Sequence, residues 1–410
     1  MDESRRKWVL TALAGLSLVA AARIGFAAYQ FRQAQKAAAE AAARAAANAA
    51  QAAERRFHPT NRVLAFLNRA EAPPPKFDGQ FPCVSASANG AAVLAQLGRC
   101  AMPVTHSDPV DRFEADLRYG HFILRQSDLY ISDIFEVPLT RTYNSGDYIH
   151  PNRVHAFGKN MNHPYDIAPL GTRNPYTYNL IALEDGDFLF FDRVSEGGGF
   201  ADAIFQHTET STRFYKAVTA WNEGGWTTWL TDGSTILFPE AYLSMNMAQG
   251  APTEMRDAQG NSLKLLRDQQ RNLLELRTPH GHFMKFKYDE QSRIVRAQDD
   301  QENWAEYRYN EYGMLADVVL SSGHQRHYAY EGVFMTVIED ESRNVLLRNS
   351  YEKGTLTRQD FGNGQVYSYA YRSATNRPYA ESVSVMLPDR TIMNMKAAES
   401  VPGYLKNRPR

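Results

Sequence analysis

Between residues 283 and 372 the chain alternates apolar and polar side chains in short runs separated by polar turns. In Met284-Lys285-Phe286-Lys287-Tyr288 and in Ala305-Glu306-Tyr307-Arg308-Tyr309 the aromatic or apolar residues fall on every second position, with charges between them. A period of two predicts strands with one aromatic face and one wet face. A polar turn follows each run, then a second apolar stretch such as Met314 to Leu320, then a turn containing Gly323. Each unit is therefore expected to be an antiparallel β-hairpin of about 21 residues.

The units recur at a fixed spacing. Tyr288-Asp289, Tyr309-Asn310, Tyr330-Glu331 and Tyr351-Glu352 stand 21 residues apart, and Tyr371 comes one residue early because the fourth copy is shortened. Two residues before the Tyr stands another aromatic (Phe286, Tyr307, Tyr328, Tyr369), and seven before it stands Gly281, Gly323 or Gly364, with Glu302 and Asn344 in the other copies. About six after it an apolar stretch starts at Ile294, Leu315, Thr336 or Leu356. Such a period marks one supersecondary unit copied and stacked. A lone hairpin is marginal in water, so each must bury its aromatic face against its neighbours. The fold class is mainly β, an antiparallel hairpin repeat array whose core comprises Phe286, Tyr288, Tyr307, Tyr309, Tyr328, Tyr330, Tyr351, Tyr369 and Tyr371.

Further motifs stand upstream: His106-Ser107-Asp108-Pro109-Val110-Asp111, Leu139-Thr140-Arg141-Thr142-Tyr143-Asn144-Ser145, and Phe157-Gly158 to Pro164-Tyr165-Asp166. Glu184-Asp185-Gly186-Asp187 to Phe191 and Thr231-Asp232-Gly233 to Phe238 follow, and Asp257-Ala258-Gln259-Gly260-Asn261 begins the repeats. With the Tyr-Asp units these resemble the Rhs family, also called YD-repeat proteins, over roughly residues 105 to 372. The resemblance implies a β-sheet shell around a cavity, and many members carry a C-terminal toxin. Here about five units are followed by only a short tail, so the expectation is a partial shell lacking a toxin domain.

The N-terminal hundred residues differ in composition. Arg5-Arg6-Lys7 precedes an uncharged run from Trp8 to Ala22, and Arg23 is followed by Ile24 to Phe31. This is either an uncleaved signal anchor, with Arg23 snorkelling to the interface, or a cleavable signal peptide ending at Ala20-Ala21-Ala22. Both place the remainder in the cell envelope or outside the cell, with the membrane as a partner of the N-terminal helix. Gln30 to Arg56 is about half alanine without Gly or Pro, which predicts a helix about 40 Å long. A solvated spacer and a pairing helix are the two readings of it. The expected organisation is residues 1–29 as signal segment, 30–56 as helical spacer, 57–104 as linker with a short helix from Asn61 to Ala70, 105–250 as an Rhs-like β-domain, 251–372 as the array and 373–410 as tail.

The two cysteines, Cys83 and Cys100, flank Val84 to Arg99 beyond Pro73-Pro74-Pro75. In an oxidising compartment they are expected to form a disulfide worth about 3 kcal/mol, two buried thiols being the alternative. Net charge is −1 and aromatic content 12%, which gives no nucleic-acid surface. His280, His282, His324 and His327 lack the carboxylate spacing of a metalloprotease helix, and His150, His155 and His163 with Asp147 and Asp166 read as hydrogen-bonded loop residues. No metal, cofactor or catalytic set is expected. Trp221, Trp226 and Trp229 read as hairpin core about the Gly224-Gly225 turn, with a carbohydrate-stacking platform as the alternative. Three function classes remain open: a non-catalytic envelope scaffold that binds or partly encloses a protein or surface ligand, a component of a polymorphic toxin system, and a glycan-acting enzyme.

Overall fold

The structure is a computed structural model that describes residues 35–51, 54–67, 83–86, 92–94, 112–147, 154–209, 213–241, 247–373 and 379–397. It divides into two units, Met1–His58 and Pro59–Arg410. In the first, residues 35–51 form an α-helix exposed along its whole length, as its alanine-rich, weakly amphipathic composition leads one to expect. The run from Trp8 to Phe31 lies outside the described residues, and no described helix is long and apolar enough to cross a membrane.

The second unit is mainly β. Its first sheet has six antiparallel strands in the order Ala92–Leu94, Cys83–Ala86, Arg112–Asp116, His121–Ser132, Glu136–Asn144 and Met161–Asn162. Cys83 opens a strand of this sheet, while Cys100 lies outside the described residues. A second, 21-strand sheet begins at Ala168–Gly171 and ends at Ile392–Met395, each strand pairing antiparallel with the next along the chain. No break in pairing marks residue 250. Thr235–Pro239 pairs with Glu254–Arg256, which pairs with Ser262–Arg267. Beyond Val366–Ser373 the sheet continues into Ala380–Met386 and Ile392–Met395, so the tail adds a hairpin.

The alternation of the repeats appears as burial. Along Trp304–Tyr309, Ala305 and Tyr307 are buried while Glu306 is half-buried and Arg308 exposed. Phe286, Tyr307, Tyr328 and Tyr369 are buried, and Tyr288, Tyr309, Tyr330, Tyr351 and Tyr371 pack against the same core from its rim.

The turns after the repeat tyrosines come in two kinds, which the sequence pattern had merged. After Tyr288 and Tyr309 the Asp or Asn side chain closes the turn: Asp289 Oδ1 accepts from the N–H groups of Gln291 (2.9 Å) and Arg293 (3.0 Å), and Asn310 Oδ1 from Tyr312 and Met314 (both 3.0 Å). The fourth turn residue, Ser292 or Gly313, is left-handed, the geometry of a type I turn with a bulge. After Tyr330 and Tyr351, Glu331 pairs directly with Phe334 and Glu352 with Thr355, leaving two-residue loops with Gly332 and Lys353-Gly354 at positive φ.

The shorter loops correct two sequence assignments. The first buried residue after the turn is Met335, not Thr336, because a two-residue loop returns the chain one position sooner. The left-handed residue of the next turn is Arg343 (φ 65°), not Asn344, whose N–H is instead capped by Asp340. A register shift between Ile338 and Glu339 inserts one residue there and restores the 21-residue spacing to Tyr351. The pairing from Thr355–Phe361 to Val366–Ser373 runs without such a shift, so Tyr371 arrives early.

The first sheet and the array share one core, in which Phe122, Leu124, Leu139, Tyr143, Phe157 and Met161 meet Met284, Phe286, Tyr307, Met335 and Leu347. A second core, including Ile181, Phe191, Phe205, Trp226 and Phe238, fills the first part of the long sheet. The expected linker helix runs Asn61–Leu67 and is docked: Val63 packs with Ile204, Val218 and Trp229. Trp229 is buried there and Trp226 in the second core, while Trp221 is half-buried with the Phe200 ring edge-on to it at 4.9 Å between centroids.

Candidate functional site

Where the first sheet meets the array, successive repeats bond to it in turn. The N–H of Ile294 donates to Ala156 O (2.7 Å), that of Met335 to the Tyr143 hydroxyl (3.0 Å), that of Leu356 to Gly120 O (2.8 Å) and that of Ala380 to Arg118 O (2.7 Å). Between the first two, Lys159 N–H donates to Gly313 O (3.0 Å). Ile294, Met335 and Leu356 each pair with a repeat tyrosine (Tyr288, Tyr330 and Tyr351) at a register shift, one residue before the unpaired residue of the bulge. A bulge leaves a backbone group outside the ladder, and that group is taken up by the first sheet or, for Ile294, by the turn joining Val154–His155 to Gly158–Lys159. Gly120 (φ 72°) must be glycine here, since a Cβ would strike Thr355.

Beneath this seam lies a closed polar cluster. Arg141 is 1% exposed and donates through Nε to Asp128 Oδ2 (2.5 Å) and through Nη2 to Asp128 Oδ1 (3.0 Å), to Gln126 Oε1 and to the Tyr328 hydroxyl (3.2 Å). Tyr307 donates to Asp128 Oδ2 (2.8 Å) and Tyr328 to Gln126 Oε1 (2.6 Å). Burial by itself would weaken the Arg141 charge, but Asp128 together with Tyr328 and Tyr307 more than offsets it and keeps the guanidinium protonated. Burial also pushes the Tyr307 hydroxyl well above its ordinary range, so it stays a neutral donor. With its polar atoms paired to one another, the cluster ties the first sheet to the array.

Toward the Ser262–Arg267 strand, Arg267 donates to Asp166 Oδ1 (2.8 Å), to Pro252 O (3.1 Å) and to Tyr165 O. His163 lies beside them, fully buried. At the opposite side Arg125 pairs with Glu114 and with Asp185 (3.3 Å), and Asn144 Nδ2 donates to Asp185 O (2.8 Å). The Glu184-Asp185-Gly186-Asp187 turn is thus tied to the first sheet.

A cleft of about 400 Å³ opens at the seam, lined by Lys159, Asn310, Tyr312, Met314, Tyr330, Gly332 and Val333. Tyr312 is 66% exposed.

The histidines singled out in the sequence stand apart. His280 bonds Asp133 (2.6 Å), His282 bonds Asp300 (2.6 Å), His327 bonds Asp317 (2.5 Å) and His155 bonds Asp147 (2.8 Å), while His150 lies outside the described residues. Among the described residues no three His, Cys, Asp or Glu side chains are grouped as a metal site. Of the loop residues expected to be hydrogen-bonded, His155 is, whereas both ring nitrogens of His163 lack a hydrogen-bond partner among the described residues. Arg141 and Tyr143 stand in the sequence only as motif residues, and Gln126 and Asp128 carry no motif. The one available signal was the run of hydrogen-bonding residues, Gln126-Ser127-Asp128, inside a strand otherwise apolar enough to be buried.

Residues 114–182 match the family model described as "Domain of unknown function (DUF6531)", a span that holds most of the first sheet and the seam motifs. No curated protein matches the chain. Similar solved structures include TcdB2-TccC3, 13% identical over 69% of this chain and 21% of that one with a TM-score of 0.29. TcdB2-TccC3 without its hypervariable C-terminal region is likewise 13% identical, over 69% and 19%, with a TM-score of 0.29. The chain spans about a fifth of the length of those structures.

Proposed function

We propose that this protein is a non-catalytic Rhs-like scaffold that binds or partly encloses another polypeptide, held at the cell envelope by its N-terminal segment. One observation carries this reading. The side chains that define the repeats are consumed in building it: the hydroxyls of Tyr288, Tyr309, Tyr330 and Tyr351 donate to backbone carbonyls, and Asp289 and Asn310 close their own turns. What such an array presents outward is a continuous sheet surface and the cleft at Tyr312, which are features of recognition. The toxin-system setting implied by the Rhs resemblance makes a separately encoded polypeptide the partner of choice.

The test is co-expression of the full chain with the polypeptide encoded immediately beside it, followed by size-exclusion chromatography. Co-elution that is lost on Tyr312→Ala, with the melting temperature unchanged, is the expected result. Hydrolysis of glycans or peptides by the purified chain, abolished by a single carboxylate substitution that leaves it folded, would overturn the proposal.

A further inference from the structure

His163 is fully buried, and neither Nδ1 nor Nε2 has a hydrogen-bond partner among the described residues. Its ring lies between three aromatic rings, Phe157 (5.9 Å between centroids), Tyr165 (5.8 Å) and Phe286 (6.5 Å, stacked), the last belonging to the array. A buried polar ring without partners is costly and carries a reason in most native structures. An imidazole in this place is tolerated only in its neutral form.

The surrounding charges decide what protonation would do. Asp166 Oδ2 stands 3.6 Å from Nε2, beyond hydrogen-bond reach, and Asp166 is already neutralised by Arg267 through Oδ1 at 2.8 Å. A proton on His163 would therefore meet the positive Arg267 with its one carboxylate already engaged. From the same loop His155 acts on it and is itself paired with Asp147. From the array side Arg271 and Asp268 flank the Arg267–Asp166 pair, and Tyr288 lies within reach of the same two charges. Burial lowers the tendency of His163 to protonate, ahead of the opposing pull of Asp166.

We propose that His163 is an acid-sensitive latch between the first sheet and the repeat array, closed while its ring is neutral and opened when the ring takes up a proton. The sign follows from linkage. An unfolded histidine titrates near pH 6.5, and the folded value lies below that. The stabilisation is complete above about pH 6.5 and is lost as the pH falls toward the lowered folded value. The carboxylates, whose unfolded values lie near 4, act in a separate and more acid window. His121 is also buried, with its pKa lowered to about 4 mainly by burial, and has the same sign. It sits at the other end of the seam, so the test must separate the two.

The experiment compares the full chain with His163→Phe, which suits the aromatic surroundings, and His163→Met. Between about pH 7 and pH 5 the wild-type melting temperature should fall by ~3 °C more than that of either variant. Hydrogen exchange on the wild type, corrected for intrinsic rate, should rise first in peptides spanning 157–167 and 262–267. Equal falls in wild type and variants would overturn the latch. If neither variant folds, the exchange measurement decides alone, and acid-induced exchange that spares both segments overturns it.

Discussion

The hydroxyl of Tyr309 donates to the carbonyl of Ile294 at 2.6 Å, fifteen positions earlier in the chain. Tyr288 makes the same bond to Leu273 (3.0 Å) and Tyr330 to Leu315 (2.9 Å), so the aromatic that ends one hairpin strand is fastened to the hairpin before it. In Tyr351 the partner is Met335 (2.9 Å), one position further back. Removing only the hydroxyl, Tyr309→Phe, should cost about 1 kcal/mol. Tyr309→Ala should cost about 3 kcal/mol or more, and Arg308→Ala under about 1. Urea denaturation of the three variants checks the order, and equal small losses would contradict the inward placement of Tyr309.

Arg141→Met should be far more damaging than a surface change, at about 3–5 kcal/mol, because it leaves Asp128 charged and buried. Pairing it with Asp128→Leu should recover part of that loss. The measurement is the denaturation midpoint of the single and double variants. A double variant no better than Arg141→Met alone would place the cost in the aromatic contacts of the guanidinium with Phe157, Tyr307 and Tyr328.

The two kinds of turn predict a contrast. Asp289→Ala removes acceptors for the N–H groups of Gln291 and Arg293 and a bond from Arg293 Nε (2.8 Å), and should cost about 1 kcal/mol. Glu352→Ala, beside the two-residue Lys353-Gly354 loop where no side-chain cap is needed, should change stability by less than about 0.5 kcal/mol. Thermal melts of both variants distinguish a capped from an uncapped turn directly.

Acid should act on the caps as well. A hydrogen bond from the Asn344 side chain, helped by the backbone N–H groups of Asn344 and Ser342, holds the Asp340 carboxyl below the usual carboxylate range against the opposing effect of burial. A depressed folded value means stability that is present above about pH 4 and lost as the pH falls through the folded value. Asp340→Asn should therefore flatten the pH dependence of the melting temperature below about pH 4. A profile parallel to wild type in that range would contradict the capping role.

The hairpin period was legible because two forces write it twice. Burial demands alternation, as in Ala305-Glu306-Tyr307-Arg308-Tyr309, and the turn demands a special residue at a fixed offset, as at Gly281 and Gly323. Where a shorter loop satisfied the same return, as after Tyr330, the pattern misled by one position. The seam was invisible for a different reason. Arg141 and Tyr328 are 187 residues apart in sequence, and a pairing over that distance leaves no local pattern. Trp229 reads from its alternation as hairpin core, but nothing in its own hairpin shows that Val63 is among the residues packed on it.

Nearest-neighbour pairing along the long sheet has a kinetic consequence. Each hairpin closes a loop of a few residues and can form in microseconds, whereas docking of Arg141 on Tyr307 and Tyr328 must wait for remote stretches of chain to meet. Synthesis runs from the N-terminus, so the first sheet leaves the ribosome well before its partner strands exist. Its apolar face, with Phe122, Leu124 and Leu139, then stands open until the aromatic hairpins of the array arrive. That interval is when a holding chaperone or an incoming client would compete for the same surface.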